Sequence, residues 1–115
     1  MKIIVVGIGK LGEYLSKSLV RDGNDVTLVD LDFTTSRTFI SNEDVKYITG
    51  NGLNSEILSE AGVEKSDLTI SVMDCDEKNI MCSLLAKKMG SKHTIARIRN
   101  RDNNDSAFLL KKEAI

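Results

Sequence analysis

Short apolar runs alternate along the chain with longer stretches in which apolar residues return every three or four positions. Lys2–Val6 (KIIVV) is a continuous, mostly β-branched run, the pattern of a strand buried on both faces of a parallel sheet. Leu11, Leu15 and Leu19 then recur at i, i+4 and i+8 and predict an amphipathic helix from about residue 11 to 22, ended by Gly23-Asn24. Asp25–Asp30 (DVTLVD) predicts a second strand. A weaker helix is expected around 33–41, where Thr34, Thr35 and Thr38 lower the propensity. Val45–Thr49 (VKYIT) is the third strand, closed by Gly50-Asn51-Gly52. Asn54 or Ser55 caps a short helix carrying Ile57, Leu58 and Ala61. Asp67–Val72 is the fourth strand. Glu77–Met89 is the strongest helical stretch, with Ile80, Met81, Leu84, Leu85 and Met89 on one side and Gly90 to stop it. His93–Ile98 makes a fifth strand, and residues 102–113 a last helix packing through Ala107, Leu110 and Phe108.

Strand and helix alternate five times with short links and no repeat or low-complexity segment. That order calls for an α/β fold: a doubly wound parallel sheet, Rossmann-like, with right-handed crossovers and helices on both faces. The 115 residues suit one domain with one modest core. The last helix lacks a capping signal, so residues 1–115 read as one domain cut from a longer chain.

Composition narrows the partners. Apolar residues at 41%, charged residues at 29% and a net charge of -1 describe an ordinary globular chain with no cationic surplus for a nucleic-acid surface. With no tryptophan and 4% aromatics there are few platforms for base stacking. The apolar runs fall far short of the roughly 18 residues that span a bilayer, so no direct membrane insertion is expected. Gly7, Gly9 and Lys10 interrupt any secretory core. A cytoplasmic protein is expected, with Cys75 and Cys82 as reduced thiols outside any C-x-x-C pair.

The candidate chemistry lies in GIGKLG, residues 7–12. G-x-G-x-x-G alone is a weak signal, but here it follows a strand, opens a helix and belongs to a βαβ unit. Gly7 allows the tight turn, Gly9 the approach of phosphate, and Gly12 close helix–strand packing. The helix opening near Leu11 adds unpaired N–H groups and its positive dipole end. Asp30 ends the second strand 21 residues beyond Gly9, near the ~20-residue offset of an acid that accepts hydrogen bonds from an adenosine ribose. It would repel a 2′-phosphate, and Asp32, a loop or helix-cap residue, deepens the negative field. NADP is therefore disfavoured, whereas NAD, NADH, ATP and ADP all fit.

Means of reaction are harder to find. His93, the one histidine, begins a strand, and ligands of parallel sheets sit at the opposite, carboxyl ends. Asp74, Asp76 and Glu77 have no metal-ligand spacing, and acidic residues there suit a helix dipole. No enzyme is expected. The competing readings are the cofactor half of an NAD-dependent dehydrogenase and an assembly module that its nucleotide only stabilises.

The run of GIGKLG, VDLD, GNG, DEKN and ARIRN resembles the N-terminal nucleotide-binding domain of potassium-transport regulators, the RCK or KTN domains that include Trk-type regulatory proteins. The resemblance covers nearly the whole chain. It implies a cytosolic sensor of NAD(H), or of ATP and ADP, that assembles as a homodimer or higher ring and gates a membrane potassium-translocating subunit at the inner face of the plasma membrane. It implies that Gly7, Gly9 and Gly12 hold phosphate and Asp30 the ribose, with Ile8, Leu11 and Leu31 also cofactor-binding. Lys10, basic in some relatives, would reach the terminal phosphate bound by a neighbouring subunit. Asn51 and Gly52 would lie beside the adenine, and Met73 and Asp74 near the adenosine. The family pattern often carries Thr-Asn at those last two positions. The DE-x-N pattern is Asp76, Glu77 and Asn79. Arg97 matches the family's first arginine and is the expected phosphate contact, and Arg99 lies two residues on along the same expected strand.

Overall fold

The β-branched runs pair with one another because every backbone group buried between two helical layers must find a partner in the sheet. The computed structural model describes residues 1–7, 9–31, 45–103 and 105–106. Ile8, Asp32, the helix expected over 33–41 and the packing residues Ala107, Phe108 and Leu110 lie outside them. The elements are β1 (Lys2–Val6), α1 (Lys10–Arg21), β2 (Asp25–Asp30), β3 (Val45–Thr49), α2 (Ser55–Ala61), a 3-10 turn (Val63–Lys65), β4 (Leu68–Ser71), α3 (Asp76–Met89) and β5 (His93–Ala96). Residues 101–103 and 105–106 are helical.

All pairs are parallel, in the order β3-β2-β1-β4-β5. In register, Val5 lies opposite Leu28 of β2 and Ile70 of β4. The chain starts in the middle of the sheet, winds outward to β3, then crosses to β4 and winds the other way. This α/β doubly wound parallel sheet is the expected fold, and its reversal point lies between β1 and β4, where such sheets open a crevice.

Alternation along the strands divides the core into two layers. Ile3, Val5, Val26, Leu28, Ile70 and Val72 face α1, whose Leu11, Leu15 and Leu19 pack on them. Ile4, Val6 and Val29 face the other way, against Leu58 and Ala61 of α2 and Cys82 and Ala86 of α3. Burial pushes the Cys82 thiol pKa up, as for a small core residue.

The helices turn a different stripe to the sheet from the one their largest residues suggest. On α1 the fully buried positions are Gly12 and Ser16, and the leucines flank them. On α3 they are Asn79, Cys82, Ser83 and Ala86. Leu85 and Met89 pack only at the margin, and Met81 is 54% exposed. Small side chains let the helix axes approach the strands, which moves the bulky ones to the sides. β5 also ends at Ala96 rather than Ile98: the Arg97 N–H still donates to the Ser71 carbonyl of β4, but from the Arg97 carbonyl onward the backbone bonds to α3 side chains.

Candidate functional site

The five strands discharge their carboxyl ends into one cavity of about 890 Å³. Its floor is the turn after β1. There the Gly7 N–H continues the sheet by donating to the Val29 carbonyl at 2.9 Å, and Gly7 adopts φ 104, a left-handed conformation that a side chain resists. A Cβ on Gly7 would also stand 2.8 Å from the Met73 nitrogen. Gly12 sits under this turn, where a Cβ would collide with the Gly7 carbonyl oxygen. Gly12 is thus a packing residue outside the cavity lining.

Gly9 differs from both. Among the described residues a Cβ there meets no atom within 4 Å beyond its chain neighbours, and the residue lines the cavity. Gly9 is also the N-cap of α1 and has no side-chain cap, so the first N–H groups of the helix point onward without one. Bare backbone donors beside an open space fit the phosphates of a nucleotide.

Around this floor the structure gathers most of the expected residues: Lys10 and Leu11 from α1, Asp30 at the end of β2 and Leu31 after it, Asn51 and Gly52 after β3, Met73 and Asp74 after β4, and Arg97 after β5. Asp30 Oδ1 accepts the Leu31 N–H at 2.7 Å. Asn51 Oδ1 accepts the Leu53 N–H at 2.9 Å and shapes its own turn. Gly52 is glycine because a Cβ would strike the Val6 side chain.

Asp76, Glu77 and Asn79 lie outside the lining, because their side chains are spent on protein groups. Asn79 bonds the backbone of Met73 and Arg97. Asp76 accepts the backbone N–H groups of Arg99 and Asn100, which, Arg99 first, hold its carboxyl below the usual carboxylate range. Glu77 accepts from Asn103 Nδ2 and the Cys75 thiol, both at 3.2 Å. Its own backbone N–H is the largest of the causes that lower its pKa.

Besides the strand-end and turn residues Val6, Val29, Gly50, Leu53 and Val72, the lining includes Tyr14 and Lys78, which the expected site lacked, and Arg99, which the sequence left undecided. Tyr14 follows Lys10 by one helical turn, so helical spacing would have found it. Lys78 lies in the first turn of the helix after β4, and that position relative to the sheet was its only signal. The arginines reach the cavity from beyond the end of β5 rather than from one face of a strand. The charged lining is then Lys10, Lys78, Arg97 and Arg99 against Asp30 and Asp74. It favours an anion that also presents hydroxyl groups to a carboxylate.

Comparison with known proteins agrees with this geometry. The family model described as the TrkA-N domain matches residues 3–113. A Trk system potassium uptake protein TrkA homolog of Archaeoglobus fulgidus is 37% identical over 100 residues, 87% of this chain and 22% of that protein. The chain therefore spans about a fifth of that relative's length. Among solved structures, the AMP-bound form of the Shewanella denitrificans Kef CTD superposes with a TM-score of 0.84 at 20% identity. It covers 96% of this chain and 67% of that one. The GsuK channel bound to NAD gives 0.79 at 17% identity, over 94% of this chain and 20% of that one. At these identities the superpositions speak for the fold.

Proposed function

The chain belongs to the TrkA-N domain family, and from that premise we propose that it is the regulatory nucleotide-binding module of a potassium uptake system. Its ligand is an adenine nucleotide with free ribose hydroxyls, NAD or NADH, with ATP or ADP as the alternative. The observation that carries this reading is the juxtaposition of Gly9, the uncapped start of α1 and Asp30 around one cavity. Phosphate sits over the glycine turn and the ribose hydroxyls donate to Asp30. Lys10, Lys78, Arg97 and Arg99 balance the phosphate charge.

The named relative is a potassium uptake protein, and the solved neighbours include an NAD-bound channel and an AMP-bound domain. They support a role in which nucleotide occupancy biases a membrane potassium-translocating partner. Such a module works without turnover, as a cytoplasmic homodimer or higher ring docked at the inner face of the membrane. A ligand with different affinities for two assembly states shifts their populations by that difference.

Thermal unfolding in the presence of NAD, NADH, ATP, ADP and NADP tests the reading. A ligand at about 100 times its dissociation constant adds roughly 2.7 kcal/mol, a rise on the order of 10 °C for a domain of this size. Adenine nucleotides with free ribose hydroxyls should raise the melting temperature, NADP should not, and Asp30→Ala should abolish the rise. A flat response to all five would end this reading.

A further inference from the structure

Past Ala96 the Arg97 N–H still donates to the Ser71 carbonyl of β4 at 2.9 Å, but the Arg97 carbonyl and the Arg99 and Asn100 N–H groups bond to side chains instead of to a strand. The fastening comes from the first turn of α3. Asn79, 1% exposed, accepts the Met73 N–H at 2.7 Å through Oδ1. Its Nδ2 donates to the Met73 carbonyl at 3.0 Å and to the Arg97 carbonyl at 2.9 Å. One amide therefore ties the loop after β4 to the loop after β5, with both of its donors and its acceptor engaged. Three residues earlier on the same helix face, Asp76 accepts the Arg99 N–H at 3.0 Å and the Asn100 N–H at 2.8 Å, one on each carboxylate oxygen. Each arginine is thus gripped at its own backbone by a side chain that stands outside the cavity.

We propose that Asn79 and Asp76 are positioning residues that set the site's preference for phosphorylated ligands, by fixing the backbone from which Arg97 and Arg99 reach the phosphates. The proposal rests on the nucleotide reading above. An arginine on a loose loop spends its attraction on ordering that loop, whereas one on a clamped loop meets the phosphate already placed. Asp76 holds the backbone of Arg99 and Asn100 and none of the loop after β4, so its loss falls on phosphate recognition, whereas Asn79 also holds Met73 beside the expected adenosine. The clamp also explains why the DE-x-N stretch belongs with the site without lining it.

Calorimetric titration of ADP and of adenosine into the wild-type chain and into Asp76→Ala and Asn79→Ala tests this, with Arg97→Ala as the reference for a lost phosphate contact. Removing an orienting partner should weaken ADP by about tenfold, the low end of what such losses cost at metal sites. In Asp76→Ala the adenosine affinity should stay within about twofold. Asn79 is buried, so its loss also costs fold stability; Asp76 is part-exposed at the helix start, so Asp76→Ala decides the matter alone. Equal losses for ADP and adenosine, or no loss for either, would overturn the positioning role while leaving the nucleotide site in place. A wild-type chain that bound neither would overturn the site and the clamp together.

Discussion

At the amino end of the sheet the loops close over hydroxyl groups. Ser66, Thr69 and Ser91, each no more than 2% exposed, hold their oxygens 2.9–3.2 Å from one another. The cluster discharges into the Val63 and His93 carbonyls at 2.8 and 3.1 Å. Asp67 latches the same end by accepting the Lys2 N–H at 2.8 Å. At the carboxyl end the fastening is as dense, but it runs around the cavity instead of across it: Asn79 and Asp76 clamp loop backbone from outside. The difference teaches how one sheet serves both stability and binding. Short hydroxyls satisfy each other and leave no room for a guest. Longer amide and carboxylate side chains reach past the loops and leave the strand ends uncovered.

The comparison breaks hardest at the glycine turn. Gly12→Ala drives a methyl group into the Gly7 carbonyl, and backbone has nowhere to yield. It should cost about 3 kcal/mol, the upper range of overpacking, seen as a melting temperature lower by roughly 10 °C. Gly9→Ala meets no atom of the described residues beyond its chain neighbours. It should unfold at a temperature nearer the wild type yet lose the stabilisation that nucleotide confers. Reversed results would mean that the turn at Gly9 is structural and the open space beside it incidental.

A smaller break belongs to the sealed end. Ser91→Ala removes one member of the buried cluster and leaves Ser66 and Thr69 short of a partner. The cost should be about 1–2 kcal/mol, with nucleotide affinity unchanged in calorimetry because the cluster lies at the far end of the strands. A change in affinity would show that the two ends are coupled through β4 and β5.

The smallest effect sharpens the comparison by pH. The Lys2 backbone N–H holds Asp67 below its ordinary pKa, and that of Arg99 does the same for Asp76. A carboxyl group with a depressed folded-state pKa contributes stability above its unfolded value, near 3.9, and loses it as pH falls through the lower folded value. The melting temperature should be flat above about pH 5 and decline below pH 4. Asp76→Asn should flatten part of that decline, and so should Asp67→Asn. A decline insensitive to both substitutions would remove the latches from the account.

Much of the fold is written in local pattern. The β-branched runs at 2–6, 25–30 and 45–49 became strands with those same bounds. The reason is that β-branched side chains suit a pleated strand both inside the sheet, as in β1 and β2, and at its edge, where β3 exposes Lys46. Asn54 caps α2, accepting the Glu56 N–H at 2.8 Å. The GIGKLG spacing and Asp30 pointed to a cavity at the strand ends, and the structure has one there. The final loops were harder to read. Residues 97 and 98 look like strand, but the Arg97 carbonyl bonds to Asn79 eighteen residues earlier in the chain. Nothing in the local pattern signals a bond over that separation.

The sequence by itself determined the alternation of elements, the direction of the sheet and the glycine turn with its acid, since each depends on residues within a few positions or one βαβ unit of each other. Only the tertiary structure decided which stripe of each helix meets the sheet, where small residues at Gly12, Ser16, Cys82 and Ala86 win over larger neighbours by letting the layers approach. It also decided that Lys78 and Arg99 join Lys10 and Arg97 around one cavity, and that Asp76 and Asn79 hold its walls. Those pairings join segments far apart in the chain, and only the packing of the layers brings them within hydrogen-bonding distance.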